Sequence, residues 1–394
     1  MTKKPAQVKD YLAAHGGPFY ELQRQLGLLE ENAFRSGPRA ALFVGIAWGV
    51  PLLLSLVTGH AFGPLSERPF LLDPGPAARF FVAIGLFMLM ELQVEQKLRI
   101  HLNQFVRAPL IAPDSIPDAA RIVSDALRQR DGRLAEIVCL ALAVLLTVLS
   151  FTTVMEGDTD SWRMQMVDGV ARLTAAGWWC LLVSGPIFWF LMLRWLWRHQ
   201  IWARLLRRLS TLELRLVTSH PDGNGGLGFI GQYPNVYSTF VFALSCVVGA
   251  AIANQLLHGT LSLQIYTTIM TVWLAIVLAI FAWPLLAFMR PLSKLKEQTS
   301  LLASSQATNR SRALERETLG RNVSDPEMAD DNKSSDIADP AKVYESAQKL
   351  STMVIRREAL VPISAAALLP LVIAGATQLP LKELVSVAKH LLLL

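Results

Sequence analysis

Charge is scarce in this chain. Asp, Glu, Lys and Arg make up 17% of its 394 residues, where a soluble domain carries about a quarter. So few charges cannot clothe a water-facing surface of that size, which argues against an ordinary soluble protein. Cysteine is scarcer still. Cys139, Cys180 and Cys246 each fall inside an apolar run, and no pair has metal-ligand spacing. None sits in a loop open to disulfide formation, so no disulfide framework, metal or cofactor is expected. The apolar runs lack period-2 alternation, which excludes a transmembrane β-barrel. No internal repeat is visible, which removes the main sequence argument for an inverted-repeat transporter. The polar leader lacks the layout of a cleavable signal peptide, so the first apolar run should act as its own insertion signal.

What is abundant is apolar sequence, 52% of the chain, gathered into runs of ~20 residues, the length a helix needs to cross a ~30 Å hydrocarbon core. The runs lie near 40–58, 77–95, 134–155, 173–195, 236–257, 266–289 and 359–377. The expected fold class is all-α: a polytopic helical membrane bundle of about seven transmembrane helices, with helical extensions on the inner side. Of the 37 Lys and Arg, 31 fall on one side of these spans. The opposite side holds the acidic loop Glu156, Asp158, Asp160 and Asp168, and the turn at Gly259. The positive-inside rule then puts the N-terminus inside and, with seven spans, the C-terminus outside. The net charge of +6 suits anionic lipid headgroups and calls for no nucleic-acid partner.

Four regions follow. Residues 1–38 form a cytoplasmic leader whose Phe19, Leu22, Leu26 and Leu29 share one helical face, suited to packing under the bundle or lying on the membrane. Residues 39–290 form a six-span bundle. A helix near 116–129, capped by Asp114 or Ser115, lies between the second and third spans, and the fourth span continues as a Trp- and Arg-rich helix to about Val217. Residues 291–358 hold a charged helix and an acidic segment, 318–340, with too little apolar surface to order itself. Residues 359–394 hold the seventh span and an interfacial helix. Pro51, Gly185-Pro186, Pro284 and Pro370 interrupt four spans, and Asn254, Gln255 and His258 end the fifth at the interface.

Between the fourth and fifth spans, within 218–232, lies the one dense polar and glycine cluster: His220-Pro221-Asp222-Gly223-Asn224-Gly225-Gly226-Leu227-Gly228. Successive glycines can aim backbone N–H groups at an anion, and His220 with Asp222 could carry a proton. The same residues also suit a tight re-entry turn. Two polar side chains are too few for a metal site, and the spacing matches neither phosphate-binding fingerprint. Glu91, inside the second run, is an ionisable group in hydrocarbon. It is either functional or paired with Arg194 or Arg198 at similar depth.

The combination Ala78-Arg79-Phe80-Phe81, Glu91, Trp195-Leu196-Trp197-Arg198 and the His-Pro-Asp-x-x-Gly-Gly-Leu-Gly-Phe loop resembles a family of bacterial multi-pass inner-membrane proteins of unknown function. The tail from Leu368 to Leu384 is similar to that family's tail. The resemblance implies a location and a helical membrane fold, and no activity. A basic helix running into His-Pro-Asp also resembles the J-domain co-chaperones, but there a soluble helix follows, and here Phe229 to Leu256 leads into a span. Three functions stay open. The first is binding or transport of a small anionic ligand at the cytoplasmic face by Glu91, Arg194, Arg198, His220, Asp222, Gly225, Gly226 and Gly228. The second is an enzyme acting on a lipid-linked substrate, with His220 as base. The third is a scaffold that recruits protein partners, whose identity the sequence leaves unknown.

Overall fold

Long apolar runs without polar backbone partners have one stable form in lipid, the helix, because every N–H and C=O is then bonded within its own segment. The computed structural model describes residues 16–28, 36–63, 69–155, 161–167, 170–258, 262–324, 340–355, 357–377 and 380–393. Among them seven helices are long and apolar enough to span: α2 (Ser36–Val57), α3 (Pro74–Arg107), α5 (Arg133–Thr152), α6 (Ala175–Leu209), α7 (Gly228–Leu256), α8 (Leu263–Leu319) and α10 (Arg357–Gly375). Shorter helices join them: α1 (Pro18–Gln25), α4 (Ile116–Arg130), α9 (Pro340–Lys349) and α11 (Leu381–Leu393). The chain is a multi-pass, all-α membrane protein. Its sheet is one antiparallel hairpin, β1 (Met164–Val167) with β2 (Val170–Leu173). The acidic loop residues Glu156, Asp158, Asp160 and Asp168, leader residues 1–15 with Leu29, segment 325–339 and the side chain of His258 lie outside the described residues.

Half of the most apolar stretch of α3 and of α7 is buried, against 22% for α2 and α5. The first pair is therefore central and the second faces lipid. α7 packs most extensively on α10, α6 on α5, and α2 on α3. Where α7 crosses α10, a Cβ on Gly249 would stand 3.0 Å from the Pro370 carbonyl oxygen. Small residues give such close backbone approach in lipid, where tight packing supplies the association energy.

Three of the four proline sites fall at irregular turns. A wide π turn, Gly45–Gly49, precedes Pro51, and another, Cys180–Ser184, precedes Gly185-Pro186. A tight 3-10 stretch, Trp283–Phe288, holds Pro284. Proline lacks an N–H and crowds the carbonyl four residues back, and altering the helical pitch re-seats those groups. Pro370 lies within continuous helix.

Two expectations are corrected. The fourth helix ends at Leu209 rather than near Val217. Ser210 and Thr211 turn their hydroxyls onto the Arg207 and Arg208 carbonyls, competing with the helix, and the chain beyond pairs with 110–112 through Ala112 N–H to Glu213 O and Arg215 N–H to Leu110 O. In α1 packing under the bundle holds for one described residue of the expected face, Phe19, which meets Phe43 and Phe190. Leu22 and Leu26 are exposed, and Gln23 is buried. A leucine beside lipid gains little by moving inward, whereas a buried arginine needs an acceptor, and Gln23 supplies it. The C-terminal helix does use its apolar face, with Leu384 fully buried on the bundle beside Gly375.

Gly249→Ala should destabilise the bundle by about 1–3 kcal/mol, the usual cost of overpacking, and lower its Tm in detergent. Gly85→Ala, whose Cβ would meet Val44 at an ordinary 3.5 Å, should leave the Tm unchanged or raise it.

Candidate functional site

The most concentrated chemistry in the bundle is a run of buried charges of alternating sign. Arg39, at the start of α2, donates from Nη1 to Glu91 Oε2 on α3 at 2.6 Å. Its Nε donates to Gln23 Oε1 on α1, also at 2.6 Å. The other Glu91 oxygen lies 3.8 Å from Arg194 Nη1 on α6. Arg194 Nε in turn donates to Glu136 Oε1, in the first turn of α5, at 2.9 Å. Glu136 Oε2 accepts the Phe19 backbone N–H of α1 at 2.6 Å, and the Phe19 ring sits 5.0 Å from the Arg194 guanidinium. Arg198, one turn further along α6, donates to the Gly16 carbonyl at 3.2 Å. No member of the set Arg39, Glu91, Glu136, Arg194 and Arg198 is more than 7% exposed.

Helical spacing explains the convergence. Arg39 and Glu136 open their helices, and Glu91 and Arg194 lie toward the same end of theirs, so all four reach one level, beneath α1. Such a network gains little net energy over an apolar replacement, but removing one partner leaves an uncompensated buried charge. Its chemical role is cohesion between four spans and a covering helix.

The glycine loop is a second, separate construction. Asp222 Oδ1 accepts the N–H groups of Asn224 at 2.9 Å and Gly226 at 3.1 Å, while Oδ2 accepts that of Gly228 at 2.7 Å. His220 Nδ1 stands 2.8 Å from Oδ1. The nest of N–H donors is therefore filled by the loop's own carboxylate. Burial alone would raise the Asp222 pKa, but the N–H groups of Asn224, Gly228 and Gly226 together with His220 outweigh it and hold the carboxyl below its ordinary 3.8. Gly225 and Gly226 take φ of 66° and 98°, open to glycine at little cost, and a Cβ on Gly228 would press on Asp222 at 2.9 Å. The loop also grips the approach to α10. Asn224 Nδ2 donates to the Met353 carbonyl at 2.9 Å, and Ser351 N–H donates to Gly223 O at 2.9 Å.

The structure thus gathers Glu91, Arg194 and Arg198 into one cluster and His220, Asp222, Gly225, Gly226 and Gly228 into another, each bonded within itself. Glu91 has the interhelical pairing that was one of its two readings, with Arg39 as its nearer partner. Arg39, Glu136 and Gln23 were not among the candidates. Glu136 had the same signal as Glu91, a carboxylate inside an apolar run. Arg39 stands among the basic residues that set the topology, and nothing local marks Gln23. Asn254 and Gln255 fall in the last turn of α7.

Replacing one member of the network should cost more than replacing a pair. Glu91→Leu should lower stability by about 3–5 kcal/mol, and Arg39→Met added to it should recover part of the loss. A double-mutant cycle by thermal unfolding in detergent reads the difference. For the loop the sign is set by the lowered Asp222 pKa: its contribution is fully present above the unfolded value of 3.8 and fades as pH falls through the lower folded value. Limited proteolysis within 218–228 should be flat from pH 7 to about 5 and rise only below about 4. Asp222→Asn should be cut readily throughout and lose that acid step.

Comparison with protein-family models, curated proteins and solved structures finds no match for this chain.

Proposed function

We propose that this protein sits in a bacterial inner membrane with its N-terminus in the cytoplasm and recruits a protein partner through a helical arm formed by α8 and α9. The bias of Lys and Arg to one side supports the orientation, and anionic headgroups suit the same surface. The resemblance of the loop and tail to bacterial inner-membrane proteins supports the location.

One observation carries the recruiting role. The final segment of α8, Met289–Leu319, runs 31 residues past the spanning part, about 46 Å at 1.5 Å per residue. Between it and α9 lies a groove of about 750 Å3 whose lining includes Ala307, Leu314, Leu319 and Tyr344, with one charge of each sign, Arg312 and Glu315. Exposed leucines on the spans face lipid and need no other explanation. Leu301, Leu302, Leu314 and Leu319 are each more than half exposed on a helix that has left the hydrocarbon, where contiguous apolar surface marks an interaction site. The segment carries six Lys and Arg against three Glu. Its best-matched occupant is an amphipathic helix with an acidic flank, laid apolar face down.

A small-anion site at the inner face has less support. Arg39, Glu91, Arg194 and Glu136 there pair with one another, Arg198 is bonded to the Gly16 carbonyl, and an anion entering the glycine nest would have to displace the Asp222 carboxylate. An enzyme using His220 as base meets the same obstacle, since both oxygens of its orienting carboxylate are taken up by the loop.

A photo-crosslinking residue at Leu319 should trap one partner protein in cells, in fixed stoichiometry after purification. Leu314→Asp should abolish the adduct while leaving insertion and Tm intact. Adducts confined to this chain, or unaffected by Leu314→Asp, overturn the proposal.

A further inference from the structure

At the end of the bundle away from the network, a small cavity is enclosed by α3, α5 and α6 and by the segment that leads into β1. Arg79, Arg163, Trp162, Thr147, Ser150 and Cys180 are among its lining residues, and Phe80, Phe151, Phe188 and Trp189 supply apolar wall. Two guanidinium groups face one nearby carboxylate, Asp73. That carboxylate is already fully engaged. Its Oδ1 caps α3 by accepting Gly75 N–H at 2.8 Å, and its Oδ2 accepts Trp162 Nε1–H at 2.9 Å and Arg163 Nη2–H at 3.1 Å.

Arg163 is thereby fixed, stacked over the Trp162 ring at 4.7 Å. Arg79 is not. It lies within electrostatic reach of Arg163 and Asp73, yet it makes no hydrogen bond or ion pair with the described residues. The hydroxyls of Thr147 and Ser150 donate to the carbonyls of Ala143 and Leu146 on their own helix, so the donors left for a guest are guanidinium N–H groups. Among the described residues the cavity carries one positive charge in excess, and an unmatched cation inside a membrane bundle is costly enough to require a counter-charge.

The geometry points to a small monovalent anion of halide size bound between Arg79 and Arg163. Volume limits the choice. The cavity offers about 30 Å3, and a single water needs roughly 10–15 Å3 of the same measure. A halide, alone or with one water, fits. A phosphate held with its solvation, or a lipid headgroup with its glycerol, does not. Arg79 would be the principal anion-binding residue, because Arg163 already shares its charge with Asp73. This inference is independent of the arm and its partner.

The test uses the full-length protein in detergent, with thermal unfolding followed at constant ionic strength while sodium gluconate is exchanged for sodium chloride, bromide or phosphate. Chloride and bromide should raise Tm saturably, and phosphate should not. Arg79→Gln should lose the halide-dependent rise. Arg79→Lys, which keeps the charge but not the planar fork, should retain it with a weaker midpoint, which guards against a glutamine variant that simply misfolds. Bromide should also give an anomalous or density peak between the two guanidinium groups. If the halides act no differently from gluconate, or Arg79→Gln keeps the full halide response, the inference fails and the charge is met by the chain's own carboxylates. A response to phosphate equal to that for chloride also overturns it.

Discussion

In a medium where an unpaired charge costs several kcal/mol, Arg39, Glu91, Arg194 and Glu136 can be buried only as a set. That requirement shapes the end of the bundle that holds them. It brings four spans to one level, and it draws α1 over them so that Gln23 and the Phe19 N–H complete the acceptors and donors. It also inverts the usual logic of an amphipathic helix. α1 turns its glutamine inward and leaves two leucines exposed, because the polar contact decides where the surroundings are already apolar.

The glycine loop obeys the same rule on a smaller scale. Its backbone N–H groups needed an acceptor, and Asp222 supplies one from two to six residues away. What reads in sequence as a nest awaiting an anion is a turn that carries its own anion. The contacts of Asn224 and Gly223 then hold the strap leading into α10, so the loop tethers two distant parts of the chain. Its conformation rests on glycine's freedom at positive φ, and its rigidity on a carboxylate that stays ionised.

The two ends of the molecule differ in how their charges are matched. At one end positive and negative groups alternate and close on themselves. At the other, Asp73 is shared among three donors, and Arg79 has no hydrogen-bond or ion-pair partner among the described residues. Past the first end, α8 runs on to Leu319 with Leu301, Leu302, Leu314 and Leu319 exposed. A protein built this way has its rigid polar joint beneath α1, two arginines near one carboxylate at the far end, and exposed leucines along the last segment of α8.

Helix number, approximate span limits, the α4 boundaries and the presence of a C-terminal helix were legible in the residues alone. They depend on hydrophobic length and local sequence, which act over one helix at a time, although the capping expected of Asp114 or Ser115 is not made: Ser115 opens α4 without a side-chain bond. Glu91 was legible as a buried charge for the same reason. Arg194 was legible as a partner at similar depth, and it lies 3.8 Å from Glu91. The nearer partner was not, because Arg39 stands 52 residues away in what reads as a topology signal, nor was Glu136, which joins the set through Arg194. Pairing across such distances is set by which helices pack together, and several pairings satisfy the same hydropathy. The orientation of α1, the early end of the fourth helix and the filling of the glycine nest likewise turned on contacts between segments far apart in the chain. Local propensity proposes such features, and only tertiary packing, by supplying or withholding a hydrogen-bond partner, decides them.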